Sequence, residues 1–243
     1  MPIALITGAG IRLGKALAIS FASKGWSVVL HYNNSKEKAE KTADIVRSYK
    51  VDAYLEQADL LNSGEIEGLF QSLQKKGIVP DLLINNAGVF PKKTFLKDLT
   101  EPLWDEVFAV NLKAQFLCSK EFTKIANQKG KIINISSFGA FAAWNGRMAY
   151  NISKNAVIQL TRSLAKELAP NIQVNCVCPG MIDFPDERNE ADESMFPIQK
   201  IPAKRLAIAE DIFEAVYFFA SCNDYITGQY LIVDGGFTLS SDH

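Results

Sequence analysis

Short apolar runs of four to eight residues alternate along this chain with longer stretches whose apolar residues recur every three or four positions. The runs IALIT (3–7), WSVVLHY (26–32), DAYLEQ (52–57), DLLI (81–84), the segment 131–136, NIQVNCVC (171–178) and QYLIV (229–233) predict strands. Helical spacing occupies LGKALAISFASKG, a stretch opening near Ser35, the segments 62–76 and 101–127, the residues after Ala149, and 209–221. Ser35 is a good N-cap type for its helix. Strands that alternate with helices predict an α/β fold, a Rossmann-type doubly wound parallel sheet of about seven strands. No internal repeat or linker divides the chain, so 1–243 is expected to form a single domain. Residues 181–205 break the alternation. Their first part is acidic and interrupted by proline, which predicts a flexible lid in preference to a packed element.

Composition narrows the class. Of 243 residues, 48% are hydrophobic and 22% charged, as one well-packed domain requires. A formal net charge of -1 gives no electrostatic reason for a nucleic-acid or anionic-membrane partner. No apolar run reaches the ~18 residues that a membrane span needs. The start, MPIALITGAG, lacks the basic region of a signal peptide, so a cytoplasmic location is expected. The four cysteines show no CxxC pairing, and Cys176 and Cys178 would share one strand face as reduced thiols. Two histidines add little, and no metal site is expected.

Three stretches carry candidate chemistry. First, IALIT runs into GAGIRLG and then a helix. That strand–turn–helix context lets Gly8, Gly10 and Gly14 admit a pyrophosphate to a helix N-terminus, although the spacing is not GxGxxG. Second, the end of WSVVLHY lacks the carboxylate that binds a free ribose 2′-hydroxyl. His31, Asn33, Asn34, Ser35 and Lys36 offer donors and one cation instead, which suits a 2′-phosphate and favours NADP(H), with NAD(H) left open. Third, Tyr150 and Lys154 lie four apart at the start of a helix and so emerge on one face. A phenol whose free pKa is near ~10 needs help to cycle its proton at neutral pH, and a nearby ammonium stabilises the phenolate. Ser137, at the end of KIINIS, is placed to point at the same spot.

Taken together, TGAGIRLG (7–14), Asp59-Leu60, NNAG (85–88), Asn111, Ser137, YNISK (150–154), PG (179–180) and VDGG (233–236) resemble the short-chain dehydrogenase/reductase family over residues 3–239. The resemblance implies a nicotinamide-dependent oxidoreductase, a homotetramer or homodimer acting on a small molecule. Tyr150 would be the general acid, with Lys154 binding the nicotinamide ribose and lowering the Tyr150 pKa. Ser137 would hold the substrate oxygen, and Asn111 would place a water behind Lys154. The cofactor would be lined by Gly8, Gly10, Arg12, Leu13, Gly14, His31, Asn33, Asn34, Ser35, Asp59, Leu60, Asn86, Ala87, Gly88, Tyr150, Lys154, Pro179, Gly180 and Ile182. A binding module without turnover is the reading from another class, but the presence of all four polar groups at one site favours an enzyme.

Arg12, where the family commonly has glycine, is similar to the pteridine reductase branch, as is LHYNNS (30–35). Phe90 would there stack a flat ring against the nicotinamide, and Phe184 stands where many members have threonine. A pteridine-like substrate is therefore the expectation. Ser137 departs from that branch, which has aspartate in its protozoan type. The alternatives are a 3-oxoacyl-carrier-protein reductase or another small carbonyl or sugar reductase. The acidic residues Asp183, Asp186, Glu187, Glu190, Asp192 and Glu193, against Arg188 alone, count against an acidic carrier protein.

Overall fold

The structure is a computed structural model that describes residues 1–126, 129–187 and 198–239. Among these residues, seven strands form one sheet: β1 (Ile3–Ile6), β2 (Ser27–Tyr32), β3 (Ala53–Gln57), β4 (Leu82–Asn85), β5 (Gly130–Ile135), β6 (Ile172–Pro179) and β7 (Tyr230–Val233). All pairings are parallel and the order is β3-β2-β1-β4-β5-β6-β7. The chain runs outward from β1 to β3, returns to β4 beside β1, and then continues the other way. The reversal between β1 and β4 opens a crevice at the strands' carboxyl ends, where ligands bind in such sheets.

Among the described residues, seven α-helices cover the two faces: α1 (Arg12–Ser23), α2 (Lys36–Ser48), α3 (Ser63–Lys75), α4 (Glu101–Phe108), α5 (Ala114–Ile125), α6 (Met148–Leu168) and α7 (Ala209–Ser221). Side chains alternate along each strand, so a strand covered on both sides must be apolar at every position. Ala4 and Ile6 of β1 and Val28 and Leu30 of β2 face the layer built by Phe21 of α1, Val46 of α2 and Phe213 of α7. Leu5 and Val29 face the opposite layer, with Phe70 of α3 and Phe122 of α5. Phe21 is the hub of the first layer, with Trp26 and Phe213 edge-on at 5.3 Å each.

The structure departs from the sequence expectations in three places. The helical segment 101–127 is two helices joined by a π-helical turn, Ala109–Lys113. Asn111 sits on that turn and its amide is wholly inside the protein, where it bonds to another loop; this contact rewards the extra residue. Ser35 stands at the N-cap of α2 but makes no capping bond, because its hydroxyl lies against the glycine turn; a Cβ at Gly10 would lie 2.6 Å from it. The ends of the expected lid are packed. Ile182 bridges to Ala207, Asp183 N–H donates to the Ala207 carbonyl at 2.8 Å, and Ile201 is buried against Phe138 and Phe237. The rest of that segment, with Arg188, Glu190, Asp192 and Glu193, lies outside the described residues.

Candidate active site

The carboxyl ends of β1, β2, β4, β5 and β6 open into one cleft of about 1100 Å³. That exceeds the usual small-ligand pocket, and it has room for a dinucleotide and a substrate together. Every expected cofactor residue except Gly10 lines it, as do Phe90, Ser137 and Phe184. Gly10 and Asn111 stand behind the wall.

At the nucleotide end, the turn between β1 and α1 works by the absence of side chains. Gly8 has φ +66°, the left-handed region that favours glycine. A Cβ on Gly14 would come within 2.1 Å of the Gly8 carbonyl, so only glycine lets the first turn of α1 press on the strand end. Thr7 locks this turn to β4: its Oγ1 accepts the N–H groups of Asn86 and Ala87, each at 2.9 Å. Arg12 holds a left-handed φ of 48° where glycine would be unstrained, with its guanidinium 5.0 Å over the Phe184 ring. Its backbone N–H donates to the Glu187 carboxylate at 3.0 Å, and Lys15 pairs with the same group at 3.6 Å. An anion thus already rests at the N-terminus of α1, which is direct testimony that the turn accepts negative charge.

His31 lines this end but is not a phosphate donor. Its Nδ1 accepts the Gly8 N–H at 3.1 Å, and its Nε2 pairs with the Ala58 carbonyl at 3.0 Å, which assigns the proton to Nε2. Burial lowers its pKa to about 4, so the ring is neutral at physiological pH. Asn33, Asn34 and Ser35 remain as the polar lining beside it, with no carboxylate among them.

At the chemical end, β5 delivers Ser136 and Ser137, and the first turns of α6 deliver Tyr150 and Lys154. Ser137 is buried, accepts the Gly139 N–H at 3.1 Å, and acts on the Tyr150 phenol to lower its pKa. Burial raises the Tyr150 pKa; the Ser137 hydroxyl and the nearby Arg147 charge lower it. Lys154 Nζ donates to the Ile135 carbonyl at 3.0 Å and lies 5.9 Å from the Tyr150 ring centre. The cation offsetting burial at the phenol is Arg147, a task expected of Lys154. Lys154 itself is pulled by burial to about 8. Asn111 Oδ1 accepts the Val89 N–H at 2.8 Å, and its Nδ2 donates to the Val89 carbonyl and to Ser153. Both amide atoms are thus engaged with protein groups, and its direct work is to hold the strand-end loop after β4.

The remaining wall is mostly apolar, with Glu106 and Asp183 as its acidic members. Val89, Phe138, Trp144, Met181 and Leu206 line it beside Phe90 and Phe184. Phe90 is edge-on to Tyr150 at 4.6 Å, and Arg147 covers one face of its ring at 4.0 Å. Trp144, Met181 and Arg147 belong to stretches with no periodicity or motif to single them out, although Arg147 stands three residues before Tyr150. Below Lys154, Cys176 and Cys178 do share one buried face, with their sulfurs 3.8 Å apart, and all four cysteines are free. No group of three or more metal-ligating side chains occurs among the described residues.

Comparisons with known proteins agree with this architecture. The family described as Enoyl-(Acyl carrier protein) reductase matches residues 8–238. The 3-oxoacyl-[acyl-carrier-protein] reductase FabG of Staphylococcus aureus is 36% identical over 240 residues, covering 96% of each chain. A short-chain dehydrogenase/reductase from Serratia marcescens superposes with a TM-score of 0.90 at 30% identity and covers 98% of each chain. A gluconate 5-dehydrogenase from Burkholderia cenocepacia, in complex with NADP and tartrate, gives 0.89 at 30% identity, covering 98% of this chain and 95% of that one. None of these relatives is a pteridine reductase, so the pteridine expectation finds no support in them. The residues behind it already have partners, since Arg12 lies over Phe184 and Phe90 lies under Arg147. The fold, the cleft and these likenesses together place the chain in the short-chain dehydrogenase/reductase family of oxidoreductases.

Proposed function

We propose that this protein reduces the ketone of a 3-oxoacyl thioester with NADPH. The observation that carries the reading is the convergence of buried Ser137 and Lys154 with half-buried Tyr150 in the same cleft as a side-chain-free turn that accepts an anion. The residues fit the dinucleotide: Gly8, Gly14 and the α1 N-terminus would take its pyrophosphate, Asn33, Asn34 and Ser35 its 2′-phosphate, and Asn86, Ala87 and Gly88 its central part. Pro179, Gly180 and Ile182 would flank the nicotinamide. When bound, NADPH supplies the hydride. Ser137 holds the substrate oxygen, and Tyr150 gives its phenolic proton to that oxygen as charge develops on it. Lys154, with a pKa brought to about 8, binds the ribose and helps return the proton. Asn111 keeps the Val89–Phe90 loop in place while this happens.

The carrier-bound substrate class draws on the names of the bacterial relatives. The acidic tract speaks against it less than the sequence alone suggested, because Glu187 is turned inward onto α1. The apolar wall of Phe90, Trp144, Met181 and Phe184 suits an acyl chain. The same reading includes a cytoplasmic homodimer or homotetramer; no helix among the described residues is long and apolar enough to cross a membrane.

The test is NADPH oxidation with an acetoacetyl thioester and, in parallel, a dihydropterin. Turnover on the thioester is expected, and turnover on the pterin alone would overturn the substrate class. The Tyr150→Phe variant should lose about 10²–10⁴-fold in kcat with NADPH affinity nearly unchanged. Retention of near-normal turnover by that variant would remove Tyr150 from the role of general acid.

A further inference from the structure

Arg147 does not line the cleft and no motif includes it, yet its side chain packs on the ring that touches Tyr150. It occupies the N-cap of α6, with φ −126° and ψ 22°, and makes no side-chain capping bond there. The guanidinium turns instead to the loop after β4. It lies 4.0 Å over the Phe90 ring, and its Nη1 donates to the Pro91 carbonyl. Thr94 N–H donates to the Gly146 carbonyl at 2.9 Å, so the loops at 90–94 and 146–147 are joined through both backbone and side chain. Phe90 in turn contacts Tyr150 edge-on at 4.6 Å.

We infer that Arg147 is a positioning residue for the reduction: it clamps Phe90 against Tyr150 and keeps a fixed positive charge beside the phenol. The inference rests on the reading of Tyr150 as proton donor. Two features support it beyond the contacts themselves. A guanidinium stays ionised throughout the working pH range, whereas Lys154, at about 8, loses part of its charge there. Arg147 and the Ser137 hydroxyl are also the two influences that oppose burial at Tyr150, and the phenolate acts back on Arg147 to raise its pKa against burial. Steering and electrostatics therefore come from one side chain. Lysine at this position would keep the charge but lose the planar fork that holds Phe90 and Pro91 together.

The experiment follows Tyr150 directly, by titrating its phenolate in the ultraviolet difference spectrum of each protein against a Tyr150→Phe counterpart. In Arg147→Met the titration should move to higher pH, and kcat with the thioester should fall about tenfold through misplacement of the phenol, with NADPH affinity unchanged. Arg147→Lys should restore the titration only in part, because an ammonium itself loses its proton in the range where the phenol titrates, and should recover kcat only in part. Arg147→Gln keeps a donor for Pro91 without the charge and should shift the titration as methionine does; it serves if the methionine variant does not fold. A titration unmoved in a folded Arg147→Met or Arg147→Gln protein would overturn the inference. Full activity in Tyr150→Phe would overturn the proton-donor reading instead, and the optical titration, which needs no turnover, keeps the two failures apart.

Discussion

At the scale of single residues, a buried histidine ties the glycine turn to the segment after β3. His31 has the composition of a phosphate ligand and the position of one, but both ring nitrogens are spent on Gly8 and Ala58. Its work is to hold the glycine turn in shape. This has a consequence for stability. The unfolded histidine takes up a proton near 6.5, the folded one only near 4, so the unfolded state binds more protons between those values. Stability should therefore be full above pH 6.5 and fall as the pH is lowered towards 4, by about 3 kcal/mol from this group alone. Urea unfolding at a series of pH values should show a steeper decline in the wild type than in His31→Gln over that window. Equal slopes would mean that the buried ring is not the titrating group.

Among elements, the site depends on how closely helices meet strand ends. α1 starts so near β1 that Gly14 must lack a side chain, and the contact in question is with backbone, which cannot swing aside. Gly14→Ala should destabilise the fold by about 2 kcal/mol through overpacking. It should also weaken NADPH binding at least tenfold while leaving the Tyr150 titration in place, with calorimetric melting and fluorescence titration as the measurements. The π turn at Asn111 is the other case. Periodicity over 101–127 predicted one helix, and the helical residues are indeed there on both sides. The single extra residue in the turn was hidden because its cause is a bond from Asn111 to Val89, in another segment of the chain.

For the whole molecule, the sheet leaves β7 at an edge with Tyr230 and Leu231 exposed, and Phe141 lies 5.4 Å from Tyr230 in a tilted ring contact. Ile152 of α6 and Phe218 of α7 are also exposed. Apolar groups on an edge strand are a liability for a lone molecule, and covering them by a second copy resolves it. Light scattering should give a dimeric or tetrameric mass, reduced in Tyr230→Glu. A monomeric wild type would refute the assembly.

By itself the sequence determined the strand–helix alternation, the parallel sheet, the glycine turn and the set Ser137, Tyr150 and Lys154. These are local properties: a strand buried on both faces must be apolar throughout, a helix shows its period, and side chains four apart share a face. Only the tertiary structure decided what acts on them. The bond from Arg147 to Pro91 spans 56 positions and that from Arg12 to Glu187 spans 175. Partners so distant leave no pattern in a linear text, because their meeting is set by the order in which strands enter the sheet. The cation beside the phenol, the neutral state of His31 and the inward turn of Glu187 all depend on such meetings, and folding alone brings them about.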